Sequence, residues 1–217
     1  MPVGYRPGRW APVGAGRCPA ARTSEGSVVV EHRSEPVASS AGDDGRAEGV
    51  GRPAPGLPEE MARILEWLAA GEEIRVADLD HGVEVLGEDG FAGTTLGLQW
   101  DTLASDRVTA HLDVDERHHQ PYGIVHGGVW CSMIESMASI AAALRIAPAG
   151  KLCVGVSNAT DFLRSHRSGR IDGVATPVHV GRLQQLWQVE LTRADDGKAV
   201  ARGQVRLQNV ELSQLGS

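Results

Sequence analysis

The segment from Gly127 to Arg145 constrains the fold of this chain more than any other. Its apolar residues occupy nearly the whole circumference of a helix, and they are Val129, Trp130, Met133, Ile134, Met137, Ile140, Ala141 and Leu144. A helix that is apolar on all sides has to be buried, whereas a surface helix carries a single apolar stripe. The sequence therefore predicts one long helix that the rest of the domain surrounds.

Six extended segments flank this helix, two before it and four after it, at residues 94–101, 107–115, 152–164, 170–180, 183–193 and 198–210. In the second of them apolar and polar residues alternate, which is typical of a strand with one buried face. Asp195, Asp196 and Gly197 form a predicted hairpin turn between the last two. This pattern predicts an α+β domain of five to six antiparallel strands wrapped around one central helix.

Residues 1–58 differ in composition from the rest of the chain. They hold 8 of the 11 prolines and 10 of the 27 glycines, and Leu57 is the only leucine among them. Such a segment buries too little apolar surface to offset its ordering entropy. We predict a poorly ordered extension over 1–58, with a start codon placed too far upstream as the alternative, and a folded domain over 59–217 that opens with a short helix near 59–70.

Charge and composition exclude several classes of function. The formal net charge is −7, which disfavours binding to nucleic acid, since that binding depends on neutralising phosphates with Lys and Arg. No run reaches the roughly 18 uninterrupted apolar residues that read as a membrane span. Three cysteines without a CxxC spacing favour neither a disulfide framework nor a cysteine zinc site, and they fit a reducing cytoplasm.

Two features of the central helix could carry chemistry. Gly127 and Gly128 open it, so its first N–H groups are accessible to an anion or to a carbonyl oxygen that gains negative charge. Glu135 is a carboxylate within an otherwise apolar helix, and such a group is paired, protonated or functional. The alternatives are that the glycines only allow close packing and that Glu135 is a structural carboxylate.

Gly127 and Glu135 cannot act on one atom within one chain. They are eight residues apart, which is about 12 Å along a helix axis. If both act on the same bond, they come from two chains whose helices run antiparallel across a two-fold axis. A catalytic role for both residues therefore predicts an obligate dimer.

Several motifs in register resemble a known family. HGGVxxxxxE spans 126–135, Gln120 precedes it by six residues, DFLRS follows at 161–165 and HVGR at 179–182. Together they are similar to the hotdog-fold acyl-CoA thioesterases, in particular the phenylacetate-pathway (PaaI-like) and Arthrobacter-type 4-hydroxybenzoyl-CoA thioesterase branch. The resemblance covers approximately residues 80–212.

The resemblance implies a role for each matching residue. Glu135 matches the catalytic carboxylate, as nucleophile or as general base on water, and the Gly127 amide matches the group that polarises the thioester carbonyl. Gln120 and His126 match residues that position the carbonyl or the leaving thiolate, and Ser139 matches the hydroxyl that orients the attacking water. No metal or other cofactor is implied, and the family builds its sites across a dimer interface.

Coenzyme A carries several phosphate charges, for which guanidinium groups are suitable partners. Four arginines on or beside the later strands are candidates, namely Arg182, Arg164, Arg167 and Arg170. Arg182 is ranked first among them. Solvent-facing strand-end charges are the alternative for each of them. The acyl group is expected to be aromatic or medium-chain, and the assembly a homodimer or tetramer. Other functions left open are a non-catalytic acyl-CoA-binding regulator and a hotdog dehydratase or hydratase.

Overall fold

A short amphipathic helix begins the described part of the domain. The computed structural model describes residues 59–79, 86 and 90–211, and its helix α1, Glu59–Ala69, buries Ile64, Leu65 and Leu68. This confirms the helix predicted near residues 59–70. The extension predicted over residues 1–58 lies outside the described residues and stays a prediction.

One antiparallel sheet follows α1. The described residues form seven strands, β1 Ile74–Arg75, β2 Leu98–Ala104, β3 Arg107–Val114, β4 Lys151–Phe162, β5 Gly169–Val180, β6 Gln184–Arg193 and β7 Ala199–Glu211. Their order across the sheet is β1-β2-β3-β5-β6-β7-β4. The predicted α+β hotdog architecture is confirmed, and the strand count exceeds five to six because β1 is too short to leave a sequence pattern.

The first predicted strand began too early. Residues Phe91–Leu96 form a short π-helical segment that ends at Gly97, whose φ of 78° is left-handed, and β2 starts only at Leu98. The Thr94 hydroxyl donates a hydrogen bond of 2.7 Å to the carbonyl of Gly90 one turn earlier. Thr94 and Thr95 are β-branched and favour a strand on propensity, but this local hydrogen bonding and the glycine stop override that preference.

Helix α2, Gly127–Ile146, contacts β3, β4, β5, β6 and β7. It lies so close to β5 that a Cβ on Gly173 would come within 2.5 Å of the Met137 sulfur. Extended to Ala149, this segment is long and apolar enough to cross a membrane by length and composition, contrary to the sequence expectation. Its packing against five strands explains that composition, because a core helix needs apolar residues on most of its surface.

The β4 strand forms one edge of the sheet and contains a bulge. Gly155 on β4 pairs with Leu207 on β7, and Ser157 pairs with the next residue of β7, Arg206. Val156 is therefore one extra residue on β4. Side chains alternate between faces along a strand, and the extra residue reverses that alternation. As a result Cys153 and Gly155, before the bulge, and Asn158, after it, all face α2.

Candidate active site

His126 caps the N-terminal end of α2. Its ring Nδ1 accepts a 2.9 Å hydrogen bond from the amide of Gly128, and the amide of Val129 donates to the His126 carbonyl. In residues 90–211 no hydrogen bond uses the amide of Gly127. The structure therefore gives His126 a capping role that the sequence did not predict, and it leaves the Gly127 N–H available at the positive end of the helix.

Phe162 lies against this helix end. A Cβ on Gly127 would be 2.8 Å from the Phe162 ring, so residue 127 has to be a glycine for the ring to keep this position. The ring is nevertheless 58% exposed. The helix N-terminus is thus bordered by an aromatic surface that remains open to a ligand.

Gln120 lies beside the same helix end. A cavity of about 220 Å³ is lined by Gln120, Ile124, Val125, Trp130, Phe162, Leu163, Arg164 and Ser165. The loop that carries Gln120 is fixed by Arg167, whose guanidinium donates a 2.7 Å hydrogen bond to the Gly123 carbonyl. Gln120 therefore shares this small cavity with Phe162, whose ring also lies against Gly127, whereas Gly127 and His126 are not among the lining residues.

Glu135 lies half-buried in the middle of α2 and is held by β4. Its Oε2 accepts a 2.9 Å hydrogen bond from Asn158 Nδ2, which also donates to the carbonyl of Cys131 at 3.1 Å. Thr160 in turn donates a 2.7 Å hydrogen bond to Asn158 Oδ1. Glu135, Asn158 and Thr160, here called the Glu135 cluster, fix the orientation of the carboxylate and leave Oε1 without a hydrogen bond in the described residues.

The other carboxylate oxygen approaches the β4 backbone at Gly155. A Cβ on Gly155 would be 2.6 Å from Glu135 Oε1, so this strand position has room for the carboxylate only because it is a glycine. Asn158, Thr160 and Gly155 were all missed by the sequence analysis. A glycine inside a strand pattern is a known sign of close backbone approach, and Gly155 is the one signal that could have pointed there.

Ser139 and Cys153 lie one turn beyond Glu135. The Cys153 thiol donates to the carbonyl of Ser139 at 3.7 Å, and the Ser139 side chain is half-buried on the same helix face as Glu135. Burial first, and the nearby Glu135 second, raise the pKa of Cys153 to about 11. Its thiol is therefore protonated at neutral pH and is a poor nucleophile.

The four predicted CoA-binding arginines do not form one patch within a chain. Arg164 donates to the carbonyl of Ala199 at 2.6 Å, and Arg170 is paired with Asp172 at 2.6 Å. Arg170 lies at the start of the twelve-residue β5 and Arg182 beyond its end, a separation of roughly 40 Å along an extended chain. Arg182 is exposed, and its side chain has no partner in the described residues.

Comparison with known proteins identifies the class of this fold and site. The family model of the thioesterase superfamily matches residues 122–200. A Mycobacterium tuberculosis protein with the provisional name of an esterase is 53% identical to this chain over 118 residues. The match covers 54% of this chain and 84% of that protein. Its solved structure superposes with a TM-score of 0.53 at 52% identity and covers 54% of this chain and 94% of that one.

Two further relatives carry names of activities. The 1,4-dihydroxy-2-naphthoyl-CoA hydrolase of Escherichia coli is 34% identical over 111 residues, which are 51% of this chain and 80% of that protein. The structure of a Haemophilus influenzae thioesterase is 30% identical with a TM-score of 0.56, and the match covers 60% of this chain and 90% of that one. The chain belongs to the thioesterase superfamily. It is a thioester hydrolase, and the resemblance found in its sequence is confirmed at that level.

Proposed function

We propose that the protein is an acyl-CoA thioesterase with Glu135 as its catalytic carboxylate. The observation that carries this proposal is the Glu135 cluster. Asn158 holds one carboxylate oxygen at 2.9 Å, and the other oxygen stays without a hydrogen bond in the described residues. A carboxylate that is oriented but incompletely paired is able to attack a carbonyl or to remove a proton from water.

The Gly127 amide supplies the second part of the chemistry. When the thioester carbonyl is attacked, its oxygen gains negative charge, and an N–H at the positive end of a helix stabilises that charge. A donor of this type is worth on the order of 3 to 4 kcal/mol in the transition state. Gln120, which lines the adjoining cavity, and His126, which caps the helix, position the substrate carbonyl or the leaving thiolate in this proposal, while Ser139 orients the attacking water.

The active unit is a homodimer in this proposal. Gly127 and Glu135 are about 12 Å apart along one helix, so a complete site needs two antiparallel helices. The β4 edge favours such a partner, because this twelve-residue strand exposes Leu152, Val154 and Val156 along its first half. Its charged residues lie only near its two ends, at Lys151 and Asp161, and it contains no proline, so the edge has little protection against pairing. In contrast, the opposite edge of the sheet is the two-residue β1.

The acyl group is aromatic or medium-chain in this proposal. Support comes from the cavity beside Gly127, whose volume is about 220 Å³ and whose lining includes Trp130, Phe162 and Ile124. Flat or flexible apolar groups of limited size suit a cavity with aromatic walls. The naphthoyl-CoA thioester that names the Escherichia coli relative is an aromatic example.

Free-thiol release from a panel of aromatic and aliphatic acyl-CoAs tests the proposal on the wild-type protein and on Glu135→Ala in parallel. We expect the variant to lose at least about a thousandfold in kcat, because the attacking or activating group is gone. Its circular dichroism and unfolding midpoint should match those of the wild type. Wild-type turnover in Glu135→Ala would refute the assignment of Glu135.

A mixing experiment tests whether the site is shared between chains. Gly127→Pro removes the amide hydrogen at the first helical position, where the preceding His126 is already extended, with ψ of 136°. Its Cβ also displaces the Phe162 ring, so this chain loses the donor and the aromatic surface at its own helix end. Refolding Gly127→Pro together with Glu135→Ala gives heterodimers with one intact site, so we expect about a quarter of wild-type activity from two inactive parents. Mixtures that stay inactive would place both groups in the site of a single chain.

A further inference from the structure

A buried amide network joins α2 to the β5–β6 hairpin. The Gln185 side chain is 0% exposed, and its Nε2 donates to the Ala142 carbonyl at 3.2 Å and to Asn209 Oδ1 at 2.9 Å. Its Oε1 accepts a 2.9 Å hydrogen bond from Trp187 Nε1. Gln185, Trp187 and Asn209, here called the Gln185 cluster, therefore connect two strands to the C-terminal half of the central helix.

Asn209 extends this network to the tip of the β5–β6 hairpin, which is formed by residues 181–183. Its Nδ2 donates to the carbonyls of Gly181 at 3.0 Å and Arg182 at 3.3 Å. Its backbone amide donates to the carbonyl of Leu183 at 2.8 Å. Three successive carbonyls of the tip are thus held by one residue, and the middle one belongs to the arginine whose side chain is unpaired in the described residues.

The groups at the two ends of this network determine how each side-chain amide is oriented. The indole N–H of Trp187 can only donate, so Gln185 has to present its oxygen there and its NH₂ group to Ala142 and Asn209. At the other end the two tip carbonyls can only accept, so Asn209 has to present its NH₂ group to them. No flipped arrangement satisfies all of these groups, and the tip therefore has one preferred position relative to α2.

The location of the tip matters for the proposed function, on which the following step rests. If Gly127 of one chain lies opposite Glu135 of its partner, the two-fold axis crosses the helix pair halfway between these two positions, at residue 131. In this arrangement Ala142 lies beyond the N-terminus of the partner's helix. The separation from the partner's Gly127 along the helix axis corresponds to seven residues, or about 10 Å. A CoA whose thioester carbonyl lies at the partner's Gly127 would meet Arg182 if its phosphates extend in this direction, and this premise is part of the proposal that follows.

We propose that Asn209 and Gln185 are positioning residues that hold Arg182 where it binds the phosphates of coenzyme A. An arginine on an unsupported hairpin tip would have to be ordered each time a substrate binds, at a cost in affinity. The buried amides order the tip in advance. The interior of one subunit thereby contributes to CoA affinity at the site of its partner.

Asn209→Asp tests this proposal with little change in size. A carboxylate still accepts from Gln185, but it repels the carbonyls of Gly181 and Arg182 and shifts the tip. We expect KM for an acyl-CoA to rise about tenfold with kcat within about twofold. The same acyl group on N-acetylcysteamine lacks the phosphates, and its kcat/KM should change much less. Equal effects on both thioesters would overturn the proposal.

Two controls complete the experiment. Gln208→Glu adds the same charge at the neighbouring residue, whose side chain accepts from Gln184 and does not touch the tip, so KM should stay at the wild-type value. In an Arg182→Ala background, Asn209→Asp should cause no further rise in KM, because its effect acts through Arg182. Fully additive effects would contradict the proposal.

The same measurements distinguish a variant that fails to fold from a failure of the proposed function. If Asn209→Asp does not give a folded protein, Asn209→Ser removes the hydrogen bonds to the tip without adding charge, and it should raise KM for the acyl-CoA in the same selective way. A wild-type KM in a folded Asn209→Ser protein would overturn the positioning role. Absence of wild-type turnover on both thioesters would instead refute the thioesterase proposal itself.

Discussion

Two polar clusters contact the central helix in similar ways but in opposite environments. In the Glu135 cluster an asparagine amide binds the helix carbonyl of Cys131, and in the Gln185 cluster a glutamine amide binds the helix carbonyl of Ala142. Gln185 is fully buried, whereas Asn158 is exposed. The first cluster contains a carboxylate, and the second contains only neutral groups.

This difference separates polar groups that maintain the fold from those available for chemistry. Every side-chain polar atom of Gln185 has a partner, and such a network stabilises a buried position only because it is complete. Glu135 has one oxygen held and one without a hydrogen bond in the described residues. We therefore expect substitutions in the Gln185 cluster to lower stability and substitutions in the Glu135 cluster to lower turnover.

Among the uncharged residues of the two clusters, the largest effect is expected from Gln185→Leu. It leaves the Trp187 N–H and the Asn209 Oδ1 atom buried without a partner, and each such group costs about 1 to 3 kcal/mol. The free energy of unfolding should fall by about 3 kcal/mol, measured by urea unfolding at a fixed protein concentration. Gln188→Leu, an exposed position on the same strand, should change it by less than about 0.5 kcal/mol. Equal effects of the two variants would remove the distinction between the clusters.

A smaller effect, on activity instead of stability, is expected from Asn158→Ala. It removes the charge-assisted hydrogen bond that orients Glu135, which is worth about 1.5 to 2 kcal/mol. The value of kcat/KM should fall about 10- to 30-fold in steady-state assays, while the unfolding midpoint should stay near that of the wild type because Asn158 is exposed. A large loss of stability with unchanged kcat/KM would show the cluster to be structural.

The smallest effect is expected from Thr160→Val. The hydroxyl that donates to Asn158 Oδ1 at 2.7 Å is lost, so the amide is less firmly oriented, although it still reaches Glu135. We expect kcat/KM to decrease about two- to fivefold, in line with the roughly 0.5 to 1 kcal/mol of a neutral hydrogen bond. Thr160→Ser keeps the hydroxyl and should retain wild-type activity. If Ser and Val behave alike, the methyl group matters and the hydroxyl does not.

The fold could be predicted largely from the sequence because its strongest signals are periodic. The apolar circumference of the helix placed its start at Gly127, and its end at Ile146 is one residue beyond the prediction. The four strands after it were predicted to within a few residues for the same reason. Residues 94–96 were wrongly assigned to a strand, because the Thr94 hydroxyl forms a local hydrogen bond that a propensity argument does not include.

The site could be predicted only in part, since spacing along one element indicates what it carries but not what faces it. Glu135 and Gly127 are conspicuous within α2. Asn158, by contrast, lies 23 residues after Glu135 and meets it only through the position of β4 against the helix. The Gln185 cluster was missed for the same reason, because its partners are separated by up to 43 residues.

The bulge at Val156 makes the candidate site depend on the register of β4 against β7 as well as on the identity of the residues in β4. If Val156 were instead paired as an ordinary residue of a regular strand, with no residue changed, Asn158, Thr160 and Phe162 would turn to the outer face of the sheet. Ser157 and Ala159 would then face Glu135. Along this strand a shift of the pairing register by one residue is thus more drastic than most substitutions, and the register carries as much functional information as the side chains themselves.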